Sequence, residues 1–398
     1  MHRPTGINPL LFAQFKATLA RLNAELEAAE KSVEPLLRST PRHSWLSLAA
    51  HPDLSSAGAL DRLADLATEH LNRDTKYALS LAELAVAIAD EMPDNTYPKV
   101  VMAQLRAHAL KDLGKVLRTI ARHREAIDVL LRAEALLESH LGLHQDVALV
   151  RLHLAFTYQE VDRHTEAFAL IRESKQVFAD HGDSRMVLIA GITEGALLQR
   201  LAKYREAREA YMLLLLSTNP DPETVAALRK NVGFCCIELG DFAEAESNLL
   251  ESARLYQNEL GQPIDALRAQ AGCGRLLIRM GQIDRGIAQM KPIRRAFLRQ
   301  AMPEEAGLCA LEIIEGLLTR NKPEDAERLA RMVIAEFSRA GLNNRAITAL
   351  GYLTRAIAAK QASVPLVQNV REYILSLRTN PEREFLRRTT VSDPGSEQ

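Results

Sequence analysis

Apolar residues along this chain return with helical spacing, and one small residue returns on a much longer period. The short-range signal is plain near the N-terminus, where Phe12, Phe15, Leu19, Leu22, Leu26, Ala29, Val33 and Leu36 advance in steps of three and four. Such steps lay one apolar seam along a helix, here with heptad character over roughly three and a half repeats. Glu25, Glu27, Glu30 and Lys31 lie off the seam. Pro35 and Pro41 are expected to end the helix ahead of a linker that holds Trp45. The long-range signal is the series Ala78, Ala126, Ala167, Ala207, Ala245, Gly286 and Ala326, spaced at roughly 40 residues.

Other positions keep fixed offsets from that series. Twelve residues earlier stand Gly114, Ala155, Gly195, Gly233 and Gly274, and four residues later stand Leu130, Ile171, Tyr211, Leu249 and Met290. Small then large at constant offsets is a packing code for stacked helical hairpins. The clearest unit, NVGFCCIELGDFAEAESNLLESARLY from Asn231, reads as a helix, a turn at Leu239–Phe242 and a second amphipathic helix. Gly240 sits where the first helix must stop and the chain must turn left-handed. Further turn signals fall at Lys203-Tyr204, Gly281-Gln282 and Asn321-Lys322-Pro323. Ala, Leu, Glu and Arg fill nearly every window, aromatics are only 5%, and valine-rich alternation is missing, so sheet is disfavoured.

These residues resemble the tetratricopeptide repeat, over most of the span from about Ala59 to Leu377. The resemblance implies an all-α, right-handed superhelical solenoid of about seven to eight helical hairpins behind an N-terminal heptad helix. The period near 40 exceeds the family's usual 34, which implies lengthened helices, and the usual tryptophan and closing proline are mostly replaced. The expected division is an N-terminal helix and linker at 1–58, the array at 59–378, and a basic tail of disorder-like composition at 379–398. Order and ending are also similar to bacterial repeat proteins whose arrays follow an anti-sigma zinc-finger or helix-turn-helix module, and no such module is visible before Leu60.

Charge and chemistry narrow the function. Fifty Lys and Arg against 51 Asp and Glu leave a net charge of −1, which does not suggest a general nucleic-acid binder. No run approaches the roughly 18 apolar residues of a membrane span, and no signal peptide is legible, so a cytoplasmic location is expected. Cys235, Cys236, Cys273 and Cys309 are too few and too clustered for a disulfide framework, and Cys236 and Cys273, at apolar core positions, read as buried thiols. His140 and His144 flank Gly142 and read as loop histidines, Gly272-Cys273-Gly274 as a packing site, and Asp241 with Glu244 as a helix start. Neither a nucleophile elbow nor a phosphate loop is found, so no catalytic, metal or cofactor residues are assigned.

Binding residues are sought instead on the first helix of each pair, which lines the concave face of such arrays. Gln199, Arg200, Lys230, Asn231, Phe234, Arg268, Arg275 and Arg279 fall there. Asn231 is similar to the family's peptide-clamping asparagine, since one amide both donates to and accepts from a peptide backbone. The arginines could take carboxylates in bidentate fashion, which suggests an acidic or C-terminal peptide segment. The competing reading pairs them with neighbouring Glu238, Glu244 and Glu312. The N-terminal seam has two readings as well: a homodimer joined through Phe12, Phe15, Leu19, Leu22 and Leu26, or a cap folded onto the first repeat. The expected role is a protein-interaction scaffold or adaptor. A transcriptional or signalling regulator, such as a peptide-sensing receptor, is the alternative.

Overall fold

A computed structural model describes residues 9–71, 74–217, 220–377, 380 and 383–385, with backbone alone along 9–19 and at 22 and 217. These residues are helical or in turns, and the chain forms two compact units, Met1–Asp183 and Ser184–Gln398. Among the described residues no helix is long and apolar enough to cross a membrane.

The first unit begins with α1 (Pro9–Ser39) and two short 3-10 turns, followed by α2 (Ala57–His70) and α3 (Thr75–Glu91). Two further hairpins follow, α4 (Lys99–Thr119) with α5 (His123–Glu138), and α6 (His144–Glu160) with α7 (His164–Asp180). Helix α1 does not end at Pro35, which lies inside it; the helix runs four residues further to Ser39. A proline removes one backbone donor, and here the neighbouring turns carry the helix through. Ala29, Val33 and Leu37 are buried against α2, and a Cβ on Gly58 would meet the Glu25 carbonyl carbon at 2.4 Å. The indole of Trp45 donates to the carbonyls of Leu37 and Thr40, which locks the linker under the helix. The C-terminal half of α1 therefore covers the first repeat. Of the proposed dimer seam, Leu26 is exposed, while the side chains of Phe12, Phe15, Leu19 and Leu22 lie outside the described residues.

The second unit holds α8 (Ser184–Arg200) with α9 (Tyr204–Ser217), then α10 (Pro222–Leu239) with α11 (Phe242–Arg254). It continues with α12 (Pro263–Arg279) and α13 (Ile283–Arg299), α14 (Pro303–Thr319) and α15 (Pro323–Arg339), and ends with α16 (Asn344–Ala358) and α17 (Val364–Ser376). The spaced small and large residues meet inside each hairpin. A Cβ added at Gly114, Gly195, Gly233 or Gly274 would lie 2.4 to 2.7 Å from Leu130, Tyr211, Leu249 or Met290 respectively. The crossing residue closes the same contact from the second helix: a Cβ on Gly286 would sit 2.8 Å from the Gly274 carbonyl. Ala78, Ala126, Ala167, Ala207, Ala245 and Ala326 are all fully buried.

The turns inside most of the hairpins follow one pattern. From α4–α5 onward, the first or second residue past the first helix takes a left-handed conformation, and the next N–H reaches back to a carbonyl five residues earlier, as in Asp241 to Cys236 and Lys203 to Leu198. Gly240 fills this place at φ 81° without strain, but Ala121, Asp162, Ala202 and Asn321 adopt it too, at φ 55° to 60°. The hairpin packing therefore holds a conformation that those side chains disfavour by about 1 kcal/mol.

One buried histidine gives the first unit a pH dependence. His153 on α6 keeps an edge at the surface, but its Nδ1 is shut away without a hydrogen-bond partner. Burial pushes its pKa down to about 3, and Lys111, Arg118 and Lys115 push the same way. The unfolded chain therefore takes up this proton first, at an ordinary pKa near 6.5. Stability from this residue is complete above about pH 6.5 and drains as pH falls toward 3, at up to about 1.4 kcal/mol per pH unit. His153→Phe should flatten the stability–pH curve over that window in urea titrations; an unchanged slope would show that the residue is not held neutral.

Candidate functional site

The predicted binding residues all lie in the second unit, on or at the ends of α8, α10 and α12. The amide of Gln199 spans two helices. Its Nε2 donates to the Asn231 carbonyl at 3.3 Å, and its Oε1 accepts from the Tyr211 hydroxyl at 3.0 Å. The Asn231 side chain also meets that hydroxyl, so the asparagine is half-buried and partly committed to its own chain. Phe234 packs toward Gly272, whose missing side chain makes room for the ring. Lys230 lies 5.8 Å over the Tyr256 ring, and burial lowers its pKa while Asp265 and Glu305 favour its charge. Arg200 stands exposed at the end of α8.

The three arginines of α12 come ready paired. Arg268 donates to Asp265 at 2.9 Å and to Glu305 of α14 at 2.8 Å. Arg275 donates to Glu238 of α10, with Nε 3.6 Å from Glu312 of α14, and Arg279 lies 3.0 Å from Glu315. Of the neighbouring acids weighed from the sequence, Glu238 and Glu312 hold Arg275, whereas Glu244 pairs with Arg208 instead. Asp241, read as a helix start, makes no side-chain cap and joins the same Arg208.

The sixth member of this cluster comes from far along the chain. Helix α17 packs on α14 as well as on its hairpin partner α16. It places Arg371 on Glu312 and Gln368 Nε2 at 3.3 Å from Glu315. Val367, Val370 and Ile374 sink into an apolar core with Leu311, Ile314 and Leu353. The Tyr373 hydroxyl of α17 donates to the Arg383 carbonyl beyond the helix, and the Phe385 ring meets Tyr373 edge-on and Tyr352 at a tilt. Of the predicted tail, 379, 381–382 and 386–398 lie outside the described residues. No sequence signal at short range marked Arg371, because its partner stands 59 residues away.

Electrostatics in the cluster follow from burial. Burial alone would raise the Glu312 carboxyl, but Arg371, Arg275 and Arg279 together hold it below the ordinary range. Glu315 has fewer cations about it, and burial with the repulsion of Glu312 pushes it up. Arg371 is raised despite burial, because Glu312, Glu315 and Glu238 all face it. Glu312 Oε2, Glu315 Oε2 and Arg275 Nε are shut from solvent without a hydrogen-bond partner. The cluster is neutral as built, with three carboxylates against three guanidiniums.

Burial also pushes the four thiols up, Cys235 and Cys273 to about 11 and Cys236 and Cys309 to about 12. Thiols held so far above neutrality are poor nucleophiles and ligands. Among the described residues no group of three or more His, Cys, Asp or Glu side chains could hold a metal ion.

No family model matches the chain, and a search of curated proteins finds no match in sequence. Solved structures do match in shape. A tetratricopeptide repeat protein from Parabacteroides merdae aligns over 74% of this chain and 98% of its own, at TM-score 0.51 and 16% identity. Aspartyl phosphate phosphatase F from Bacillus subtilis aligns over 84% of this chain and 85% of its own, at TM-score 0.54 and 11% identity. A signal transduction ATPase with a tetratricopeptide repeat sensor from Pyrococcus horikoshii aligns over 90% of this chain and 53% of its own, at TM-score 0.55 and 13% identity. With the paired helices, the left-handed turns and the small-to-large packing, these likenesses give the chain's fold: it is an all-α tetratricopeptide-repeat array.

Proposed function

We propose that this protein is an interaction module that receives a segment of a protein partner on the face formed by α8, α10, α12 and α14. The observation that supports this reading is a line of half-exposed side chains, Gln199, Asn231, Phe234 and Arg268, running across three successive first helices. They are set apart from the buried hairpin contacts of Gly195, Gly233 and Gly274. An extended surface built from successive repeats suits a chain-like ligand better than a small molecule. A catalytic role has no such support, since the buried ionisable groups here neutralise one another.

The variants suited to testing this face are Asn231→Ala and Arg268→Ala. Arg275→Glu is unsuitable, because it would set a third carboxylate between Glu238 and Glu312 and damage the fold itself. Affinity capture from the native host, read by mass spectrometry, should return a partner that the double variant binds roughly tenfold more weakly, as expected for one or two lost hydrogen bonds. Helix content by circular dichroism should stay unchanged. Retention of every captured partner by the folded double variant would remove this face as the binding site. A finer reading, a signalling regulator rather than a passive adaptor, rests on what α17 does.

A further inference from the structure

We infer that α17 is an in-cis occupant of the partner-binding face, and that the partner it gives way to is an amphipathic helix carrying an arginine. This deepens the interaction reading above and rests on it. The first support is position. Within the second unit α9, α11, α13 and α15 each pack between the first helices of their own and the next hairpin, whereas α17 lies on α16 and on α14, one hairpin back. There it reaches Glu312 and Glu315, which are three residues apart on one face of α14.

Charge is the second support. With α17 removed, the cluster keeps three carboxylates, Glu238, Glu312 and Glu315, against two guanidiniums, Arg275 and Arg279, so the seat is short of one cation. An occupant must restore it. Arg371 does so from a helix that also presents Val367, Val370 and Ile374, all nearly fully buried. These sit four and one residues before the arginine and three after it, which is the pattern a competing helix would need. A planar guanidinium suits this place better than an ammonium, because Glu312 and Glu315 offer acceptors side by side.

The third support is that the polar part of this dock adds specificity more than strength. A buried ion pair repays its own desolvation poorly compared with apolar contact of the same volume. Glu312 Oε2 and Glu315 Oε2 still lack partners with α17 in place. A helix held in this way sits in one register yet can be exchanged. Because it is tethered, α17 competes at an effective concentration on the order of millimolar, so a partner must bind the open seat well to displace it.

The test uses the full-length chain and a fluorescent peptide spanning Ser363–Leu377. In one protein α17 is released by Val370→Asp with Arg371→Glu; the other is wild type. The peptide should bind the released protein at least tenfold more tightly than wild type. A peptide carrying Arg371→Glu should lose that gain. Equal affinity for the two proteins, or equal affinity of the two peptides for the released protein, overturns the inference. Circular dichroism guards against general unfolding, and the single variant Arg371→Lys, which keeps the charge but not the fork, should bind the peptide with intermediate affinity. A partner that depends on Asn231 and Arg268 yet binds wild-type and released proteins equally would overturn this inference and leave the interaction reading intact. Loss of that reading alone would leave the peptide result standing.

Discussion

Replacing Glu312 by alanine is expected to destabilise the second unit by about 3–5 kcal/mol, the largest effect of any single charge removal here. Glu312 is buried among Arg371, Arg275 and Arg279, which hold it ionised. Its loss takes the directly bonded carboxylate from Arg371, which is almost completely buried, and leaves Arg275 with Glu238 alone. An exposed pair such as Arg328 with Asp325 should cost under 1 kcal/mol when broken, because water screens it. Most of the Glu312 penalty is the cost of the orphaned cation rather than the worth of the bond. The double variant Glu312→Met, Arg371→Met should therefore recover at least half of the loss, since it removes both buried charges and keeps apolar volume. Urea unfolding of the three proteins measures this, and a double variant no better than the single would show that the pair stabilises in its own right.

The second large effect belongs to the hairpin contact of α8 with α9. Tyr211→Ala is expected to cost about 3–5 kcal/mol, because a fully buried ring leaves a cavity and the Gln199 amide loses its hydroxyl partner. Gly195→Ala should cost about 1–3 kcal/mol on its own, since the new methyl would lie 2.4 Å from the Tyr211 ring. The two are coupled with opposite sign. In the Tyr211→Ala background the methyl enters the cavity, so Gly195→Ala should become neutral or stabilising, a coupling of about 1–2 kcal/mol. Strict additivity in the double-mutant cycle would mean that the small and large positions do not meet.

That pair also shows how far the sequence could be read. Gly195 and Tyr211 stood at fixed offsets from Ala207, and the same offsets joined Gly233 to Leu249 and Gly274 to Met290, so the hairpin contacts were legible before any coordinates. A repeated steric demand leaves a repeated sequence trace. The arginine pairs left a weaker one: Arg268 finds Glu305 and Arg275 finds Glu238, each 37 residues away, about one repeat along the array. Charge of opposite sign at matching places in successive first helices was the signal available. The turn residues misled more. Ala202 and Ala121 take left-handed conformations that only Gly240 and Gly281 advertised, because packing, not local preference, sets them. The path of Pro35 through α1 has the same cause.

The course of α17 could not be read from local sequence. Val367, Val370 and Ile374 make an apolar stripe that would serve equally well against its own hairpin partner. Only the buried guanidinium of Arg371 marks the added contact with α14, and its acceptor belongs to the preceding hairpin, 59 residues away and off the repeat period. The N-terminal seam is the reverse case. A single apolar stripe served two readings, and the burial of Ala29, Val33 and Leu37 against α2 shows which use its C-terminal half has found.

Hydrogen exchange of the intact protein, followed peptide by peptide through α17, tests the central claim most directly, that this helix is docked on α14 through Arg371. The account predicts that amides across Val367–Ser376 are protected together with those of α14, and that Glu312→Ala brings α17 to exchange within seconds while α10 and α12 stay slow. An α17 that exchanges freely in the wild-type protein, or one whose protection ignores the loss of Glu312, would contradict it.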